Sequence, residues 1–314
     1  MSQTILLVGA GALGSRHLQS LAALAECDAV TVIEPNLAAR RTAEGRWAEM
    51  ADSANKVLNF SALDEIAGPF DAAVIATPSP GRLDVLDKVL ALGCRRVLCE
   101  KVLFQTERDL DAAVRLVQVR GADVRVNHVY RYVESFIALK DRPIRTMRLT
   151  VRIGGDGMGC NLVHYLDLLE YLSGAAVATL DVALDPVHAS KRGPAFVEFC
   201  GRAHAVTRNG AELDLAYIPG TVTAPVITVE RDDGTVTLDE GTGSMKTTLP
   251  GFPLLSFVEP RVSALTGRIL SDQKAGQCRL PTLQQSVEAN RLMLTRFNEH
   301  IHGRHDFDLV CPIT

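Results

Sequence analysis

Hydrophobic positions along this chain keep three rhythms. The first is an unbroken apolar run, Thr4-Ile5-Leu6-Leu7-Val8, that stops at Gly9. Runs of this kind suit a strand buried on both faces. The second rhythm is helical: Leu13, Leu18, Leu21 and Leu24 return at intervals that share one side of a helix. These two rhythms then alternate. Residues 30–33 read as a strand ending on Glu34, 37–51 as a helix, 56–60 as a weak strand, and the run D-A-A-V-I-A at 71–76 as a buried strand. Prolines 78 and 80 stop that strand and start a helix over 81–92, which Gly93 caps. A strand at 96–99, a helix at 107–119 and a strand at 123–127 complete the series. Strands alternating with helices predict a parallel, doubly wound α/β sheet.

Near residue 128 the third rhythm takes over, with apolar residues at every second position. Residues 145–153 alternate apolar and charged (Met147, Leu149, Val151, Ile153). A glycine-rich loop at 154–159 and a helix over 161–172 follow. Strands are then expected at 178–184, 195–200, 212–218, 226–230 and 235–238, with Asp233-Gly234 turning the last hairpin, and helices at 253–270 and 283–302. This half reads as an α+β domain with a large, mostly antiparallel open sheet. The expected division is 1–127 and 128–314. A sheet covered by helices on one side leaves an apolar face open, so a homodimer or homotetramer through that face is expected.

Composition narrows the classes. A chain of 314 residues is long enough for two domains, and 47% hydrophobic with 22% charged residues is ordinary for a globular protein. The net charge of -4 and the scattered Lys and Arg give no basic footprint for nucleic acid. No apolar stretch reaches membrane-spanning length, and the apolar start lacks a basic flank and cleavage site. Seven cysteines without paired C-x-x-C spacing read as reduced thiols in a cytoplasmic protein, and the scattered histidines offer no metal cluster.

The break at Gly9 carries the clearest chemistry. Gly9-Ala10-Gly11-Ala12-Leu13-Gly14 places G-x-G-x-x-G between a strand and a helix. Gly9 permits the tight turn, Gly11 lets the backbone approach a pyrophosphate, and Gly14 lets the helix pack on the sheet. The helix N-terminus offers N–H groups to the anion. Ala12 and Leu13 belong to the same cradle. Glu34, twenty positions beyond Gly14, can accept hydrogen bonds from an adenosine ribose. Thr77-Pro78 and Glu100-Lys101 also fall at strand ends, where doubly wound folds bind ligands. The Lys101 ammonium could polarise a substrate oxygen. In the second half, Asn161, His164 and Asp167 stand at i, i+3 and i+6; His164 suits a general base with Asp167 beside it. Arg131 and Tyr165 are further candidates for substrate contact.

V-G-A-G-A-L-G-S-R-H at 8–17, A-T-P-S at 76–79, A-L-G-C-R-R-V-L-C-E-K-V at 91–102, H-Y-L-D-L-L-E-Y-L-S-G at 164–174 and L-P-T-L-Q-Q-S-V-E-A-N-R at 280–291 together resemble the glucose–fructose oxidoreductase / inositol dehydrogenase (Gfo/Idh/MocA) family of NAD(P)-dependent sugar and polyol dehydrogenases. The resemblance covers nearly the whole chain and implies an N-terminal Rossmann domain. It implies that Lys101 faces nicotinamide and substrate, that Glu100 belongs to the cofactor site, and that His164 and Asp167 are family site residues. Three positions depart from the pattern. Val102 replaces a usual proline, so a cis bond after Lys101 is not expected. Cys160 stands where an Asp is common, with Asn161 next to it able to supply a polar contact. Arg82 lies near a position often held by His.

The carboxylate of Glu34 favours NAD over NADP, since it accepts from a ribose diol and repels a 2′-phosphate. Arg40 and Arg41 could turn toward such a phosphate, but read as a solvated helix face. The expected activity is hydride transfer between NAD(P) and a secondary alcohol of a sugar, sugar acid or nucleotide-linked sugar. His164 would act as base, Lys101 would stabilise the alkoxide, Asp167 would orient His164, and Asn161 would bond a substrate hydroxyl. The rival is a cofactor-binding sensor of the same fold without chemistry; reduction of an imine is a further option within enzymes.

Overall fold

The computed structural model describes residues 3–142, 145–257 and 261–314. The chain forms two compact units: Met1–Phe104 with Arg108–Asn127 and Pro260–Gln285, and Gln105–Glu107 with His128–Glu259 and Ser286–Thr314.

The first unit is built from β1 (Gln3–Val8), α1 (Gly14–Ala22), β2 (Cys27–Ile33), α2 (Leu37–Ala48), β3 (Val57–Ser61), β4 (Ala72–Ile75), α3 (Arg82–Ala91), β5 (Arg96–Cys99), α4 (Glu107–Arg120) and β6 (Asp123–Val126). All six strands run parallel in the order β3-β2-β1-β4-β5-β6. The apolar runs explain the arrangement, because Ile5, Leu6, Leu7, Val74, Ile75, Val97 and Leu98 are inaccessible from either face. Strand order reverses between β1 and β4, which sets a crevice beyond their C-terminal ends.

In the second unit the helices and strands are α5 (Glu134–Lys140), β7 (Met147–Gly154), α6 (Met158–Ser173), β8 (Val177–Leu184), β9 (His188–Ser190), β10 (Gly193–Glu198), β11 (Gly201–Thr207), β12 (Glu212–Ile218), β13 (Thr223–Arg231), β14 (Gly234–Asp239) and β15 (Ser244–Thr247). Seven of the strands form a sheet in the order β15-β14-β13-β7-β12-β11-β8, antiparallel except where β12 meets β7. Strands β9 and β10 pair separately. After β15 come α7 (Val262–Lys274) and α8 (Leu283–His302).

Four expectations need correction. Residues 201–207 were not expected as a strand, yet form β11. Its buried positions are Gly201, Ala203, Ala205 and Thr207, whose small side chains leave only a faint alternation. The helix expected at 253–270 begins instead at Val262; residues 253–257 are irregular, and 258–260 lie outside the described residues. That helix belongs to the first unit, not the second half of the chain, because it packs on α1. Gly267 comes close enough for its N–H to donate to Ser20 Oγ at 3.0 Å. Lastly, the open sheet face is polar rather than apolar. Leu149, Val151, Leu213, Leu215, Ile227 and Val229 point to the buried side. The alternate positions carry Arg148, Arg152, Glu212 and Asp214, with Arg148 paired to Glu212 at 2.5 Å and His204 to Asp214 at 2.9 Å. The charged partners in the alternation set that surface, as the two-residue strand period requires.

Candidate active site

The first unit's crevice is made by backbone that tolerates no side chain at two of its glycines. A Cβ at Gly9, whose φ is +88°, would lie 2.9 Å from the Ala76 carbonyl, and one at Gly14 would lie 2.0 Å from Gly9 O. At Gly11 a Cβ would meet nothing within 4 Å. The loop is therefore held tight against β4 at both ends and open in the middle, where a diphosphate needs approach. Helix α1 starts at Gly14 with no side-chain cap on its N-terminus, so no side chain competes with an anion for the positive end of the helix. Arg46 donates to Ala12 O at 2.9 Å and fixes the outer edge of the loop; Leu13 beside it is exposed. Thr77 sits opposite, at the end of β4, followed by Pro78.

Glu34 is buried, and its carboxylate accepts from Ala10 N–H at 2.8 Å and Asn36 N–H at 2.9 Å. It thus ties the glycine loop to β2, and its remaining lone pairs suffice for ribose hydroxyls. The reading of Arg40 as part of a solvated face is corrected. Its Nε donates to the Glu34 carbonyl and its guanidinium lies 5.6 Å from the Phe60 ring centroid, so the half-buried side chain turns back onto the ends of β2 and β3. Arg41 is exposed.

Beyond β5 the Glu100 carboxylate is turned inward. Its Oε1 meets His17 Nε2 at 2.9 Å and Asn127 Nδ2 at 2.5 Å. Burial pushes this carboxyl up, but the His17 bond and charge, then Asn127 and Lys101, hold it below its usual range. On the far side of the ring, His17 Nδ1 meets Thr266 Oγ1 at 2.8 Å, and that hydroxyl donates to Val262 O at 3.0 Å. Half-buried Lys101 follows directly, and the Lys101–Val102 peptide is cis, contrary to the expectation from Val102. Arg82 supplies the setting: 1% exposed, it donates to the carbonyls of Glu100 at 2.7 Å, Leu103 at 3.1 Å, Val102 and Thr77. His17 and Arg82 were not among the expected site residues. His17 lay inside a quoted motif and Arg82 three residues beyond one, but helical periodicity hides which helix residues turn toward a strand end.

In the second unit, helix α6 carries Asn161, His164, Tyr165 and Asp167. Glu198 from β10 supplies the carboxylate at its first turn, accepting from Gly159 N–H and, at 3.2 Å, from Phe199 N–H. Half-buried Cys160 donates to Gly157 O at 3.5 Å. His164 and Asn161 line a cavity of about 250 Å³ with Tyr130, Tyr165, Tyr217, Asp156 and Glu240. Tyr130 donates to Glu240 at 2.7 Å and meets the Tyr165 hydroxyl at 3.2 Å, while Tyr217 bonds the Asn161 side chain. Burial lifts both Tyr130 and Tyr217 well above the usual phenol range, so these hydroxyls stay neutral donors. Tyr130, Tyr217, Asp156 and Glu240 carried no spacing signal, because four separate segments bring them together.

Two expected roles change. Asp167 does not orient His164. Its carboxylate is clamped by Arg131, with Nη2 to Oδ1 at 2.8 Å and Nε to Oδ2 at 2.9 Å, while His164 Nδ1 meets His128 Nδ1 at 3.2 Å. Three residues along α6, the carboxylate faces the 3₁₀ turn Val129–Tyr132 that carries Arg131. Arg131 is accordingly engaged inside the protein, its guanidinium 5.1 Å from the Tyr171 ring centroid, and does not line the cavity.

One turn on, Glu170 accepts from Val177 N–H at 2.9 Å, and burial lifts it from 4.5 to about 7 against that bond, with the Asp167 charge adding. Between those values the fold keeps a proton that the unfolded chain has released, so stability falls as pH rises through this window. The loss amounts to about 3 kcal/mol at most. Glu170→Gln keeps an acceptor for Val177 and should flatten denaturation midpoints between about pH 5 and pH 8. An unchanged slope in the variant would place the titration on another group.

The profile of an oxidoreductase family with an NAD-binding Rossmann fold matches residues 3–128. The rhizopine catabolism protein MocA of Rhizobium meliloti is 26% identical over 135 residues, which are 43% of this chain and 40% of that relative's length. Among solved structures, GenD2 from gentamicin A biosynthesis in complex with NAD superposes with a TM-score of 0.72 at 20% identity, covering 96% of this chain and 95% of that one. A myo-inositol dehydrogenase from Corynebacterium glutamicum gives a TM-score of 0.70 at 18% identity, covering 97% and 98%. Likenesses at such identities establish the fold. No helix among the described residues is long and apolar enough to cross a membrane.

Proposed function

We propose that this chain, whose residues 3–128 belong to the Gfo/Idh/MocA oxidoreductases with an NAD-binding Rossmann fold, exchanges hydride between NAD and a secondary alcohol of a small polyol or sugar. The observation that carries the substrate side is the cavity around His164. It offers three phenol hydroxyls, an amide, an imidazole and two carboxylates. Such a lining matches the dense hydroxyl donors and acceptors of a polyol or sugar. The apolar lining that an imine ring would need is reduced to Val129, Ile153 and Pro225.

Gly9, Gly11, Gly14, Glu34 and Thr77 would hold the dinucleotide, with the α1 N-terminus at its diphosphate. NAD, when bound, supplies the hydride acceptor. His164 would take the hydroxyl proton of the substrate, and Lys101 would place positive charge at the developing alkoxide. Asn161, Tyr165 and Glu240 would hold the other hydroxyls. Asp167 with Arg131 would keep α6 fixed on the turn that carries Tyr130.

Purified protein should bind NAD in calorimetry and raise the reduced-nicotinamide absorbance with members of a polyol and sugar panel. Tight NAD binding without turnover on any of them, together with a co-purifying protein, would instead support the non-catalytic sensor.

A further inference from the structure

We propose that His128 is the positioning partner of His164, filling the place that spacing assigned to Asp167. It sets the tautomer of His164 and receives its Nδ1 proton when His164 becomes charged. This rests on the reading of His164 as the proton acceptor.

The geometry leaves little choice about the proton. His128 and His164 approach Nδ1 to Nδ1 at 3.2 Å, with ring centroids 5.2 Å apart and planes at 87°. Two nitrogens in this contact need one proton between them, since two lone pairs or two N–H groups would repel. His128 is 1% exposed and opens the 3₁₀ turn Val129–Tyr132, where Arg131 N–H donates to its carbonyl at 3.2 Å. The backbone that carries the partner ring is therefore held in the turn, and the ring itself is enclosed by the protein. The carboxylate on the next turn of α6 is not competing for His164, because Arg131 engages both of its oxygens. Other titratable groups packed around His164 are Tyr130, whose ring lies 5.9 Å away edge-on, with Tyr165, Tyr217, Asp156 and Glu240 across the cavity.

In the base-ready form His164 Nδ1–H donates to His128 Nδ1, and His128 keeps its own proton on Nε2. When the substrate hydroxyl gives its proton to His164 Nε2, the O–H bond breaks and an N–H bond forms. The Nδ1 proton can then pass to His128, leaving His164 neutral with its proton on Nε2 and His128 cationic. One proton enters the pair and none is lost. A second is opposed by two like charges 3.2 Å apart, so the pair titrates as a unit. Reduction of a ketone would run the same transfers backward.

Two measurements on the full-length protein test this. Imidazole nitrogen NMR with labelled histidine should place His164 in the Nδ1–H tautomer in the parent, and His128→Phe should release it to titrate alone with a different tautomer. Identical His164 tautomer and titration in both proteins would overturn the proposal. With a polyol that is turned over, His128→Phe should lower kcat about 10- to 100-fold with little change in KM. The acid limb of its pH profile should move to lower pH, because the charged imidazole has lost its acceptor. His128→Asn returns an acceptor near the Nδ1 position, should recover part of kcat, and stands in if the Phe variant fails to fold. Parent-like kcat and an unmoved limb in a folded His128→Phe would likewise overturn it. If no polyol is turned over, the oxidoreductase reading fails by itself, and the NMR result alone decides the histidine pair.

Discussion

Gly14→Ala is expected to abolish NAD binding and lower the melting temperature, whereas Gly11→Ala is expected to melt like the parent and still lose the cofactor. The contrast comes from where a methyl would go. At position 14 it would lie 2.0 Å from Gly9 O, a backbone atom already held by the turn, so the loop or α1 must move. Alanine gains at most about 1 kcal/mol over glycine from helix propensity. Overpacking against rigid backbone costs about 1–3 kcal/mol and can cost more, so the clash wins. At position 11 there is no neighbour within 4 Å, and the same methyl fits the free protein. It occupies the space where a diphosphate must come, so NAD affinity should fall about 10- to 100-fold without a stability change. Calorimetric titration and thermal melts on both variants decide it. Equal NAD affinity in Gly11→Ala and the parent would remove the diphosphate from this loop.

How far each feature could be read beforehand follows from how local its cause is. The parallel sheet, the glycine turn and Glu34 at the end of β2 were legible because strand burial and turn sterics act within a few residues. The period-two alternation of 145–153 gave the large sheet for the same reason. It also held the correction to the open face, since every second residue there is Arg or Thr. What resisted reading was the partner choice of side chains far apart in sequence. Asp167 was near His164 by helical spacing, but 36 positions back Arg131 presents a planar guanidinium to both its oxygens, and a bidentate ion pair outcompetes a single imidazole contact. Glu100 and Lys101 are neighbours, yet one turns inward to His17 and the other does not, which depends on a helix laid across the strand end. Arg82 looked like a departure from a family position. Its burial shows a cation collecting carbonyls from two loops, an arrangement that no periodicity in α3 announces.

Loss of either proposed reacting side chain should cost far more than any change at the rim of the cavity. His164→Ala removes the proton acceptor, and general acid–base groups contribute about 10²- to 10⁴-fold. Lys101→Met keeps the aliphatic stem and removes the charge that would face the developing alkoxide, an electrostatic contribution of about 10²- to 10³-fold in kcat. Each single variant is therefore expected to lose about 10³-fold, near 4 kcal/mol of transition-state stabilisation. The double variant should lose less than the product of the two, because proton removal and alkoxide stabilisation serve one charge-separating event. NAD affinity separates the roles further. His164 belongs to the second unit and no part of the glycine loop, so His164→Ala should bind NAD as the parent does. Lys101 sits in the segment that Arg82 fixes beside Thr77, so its loss should weaken NAD modestly while kcat collapses. Steady-state kinetics on a turned-over polyol, with calorimetry for NAD, reads both. Turnover that survives in Lys101→Met and His164→Ala alike would remove these two residues from the chemistry and return the catalytic question to Tyr130 and Glu240, the remaining hydrogen-bonded acid–base pair in the cavity.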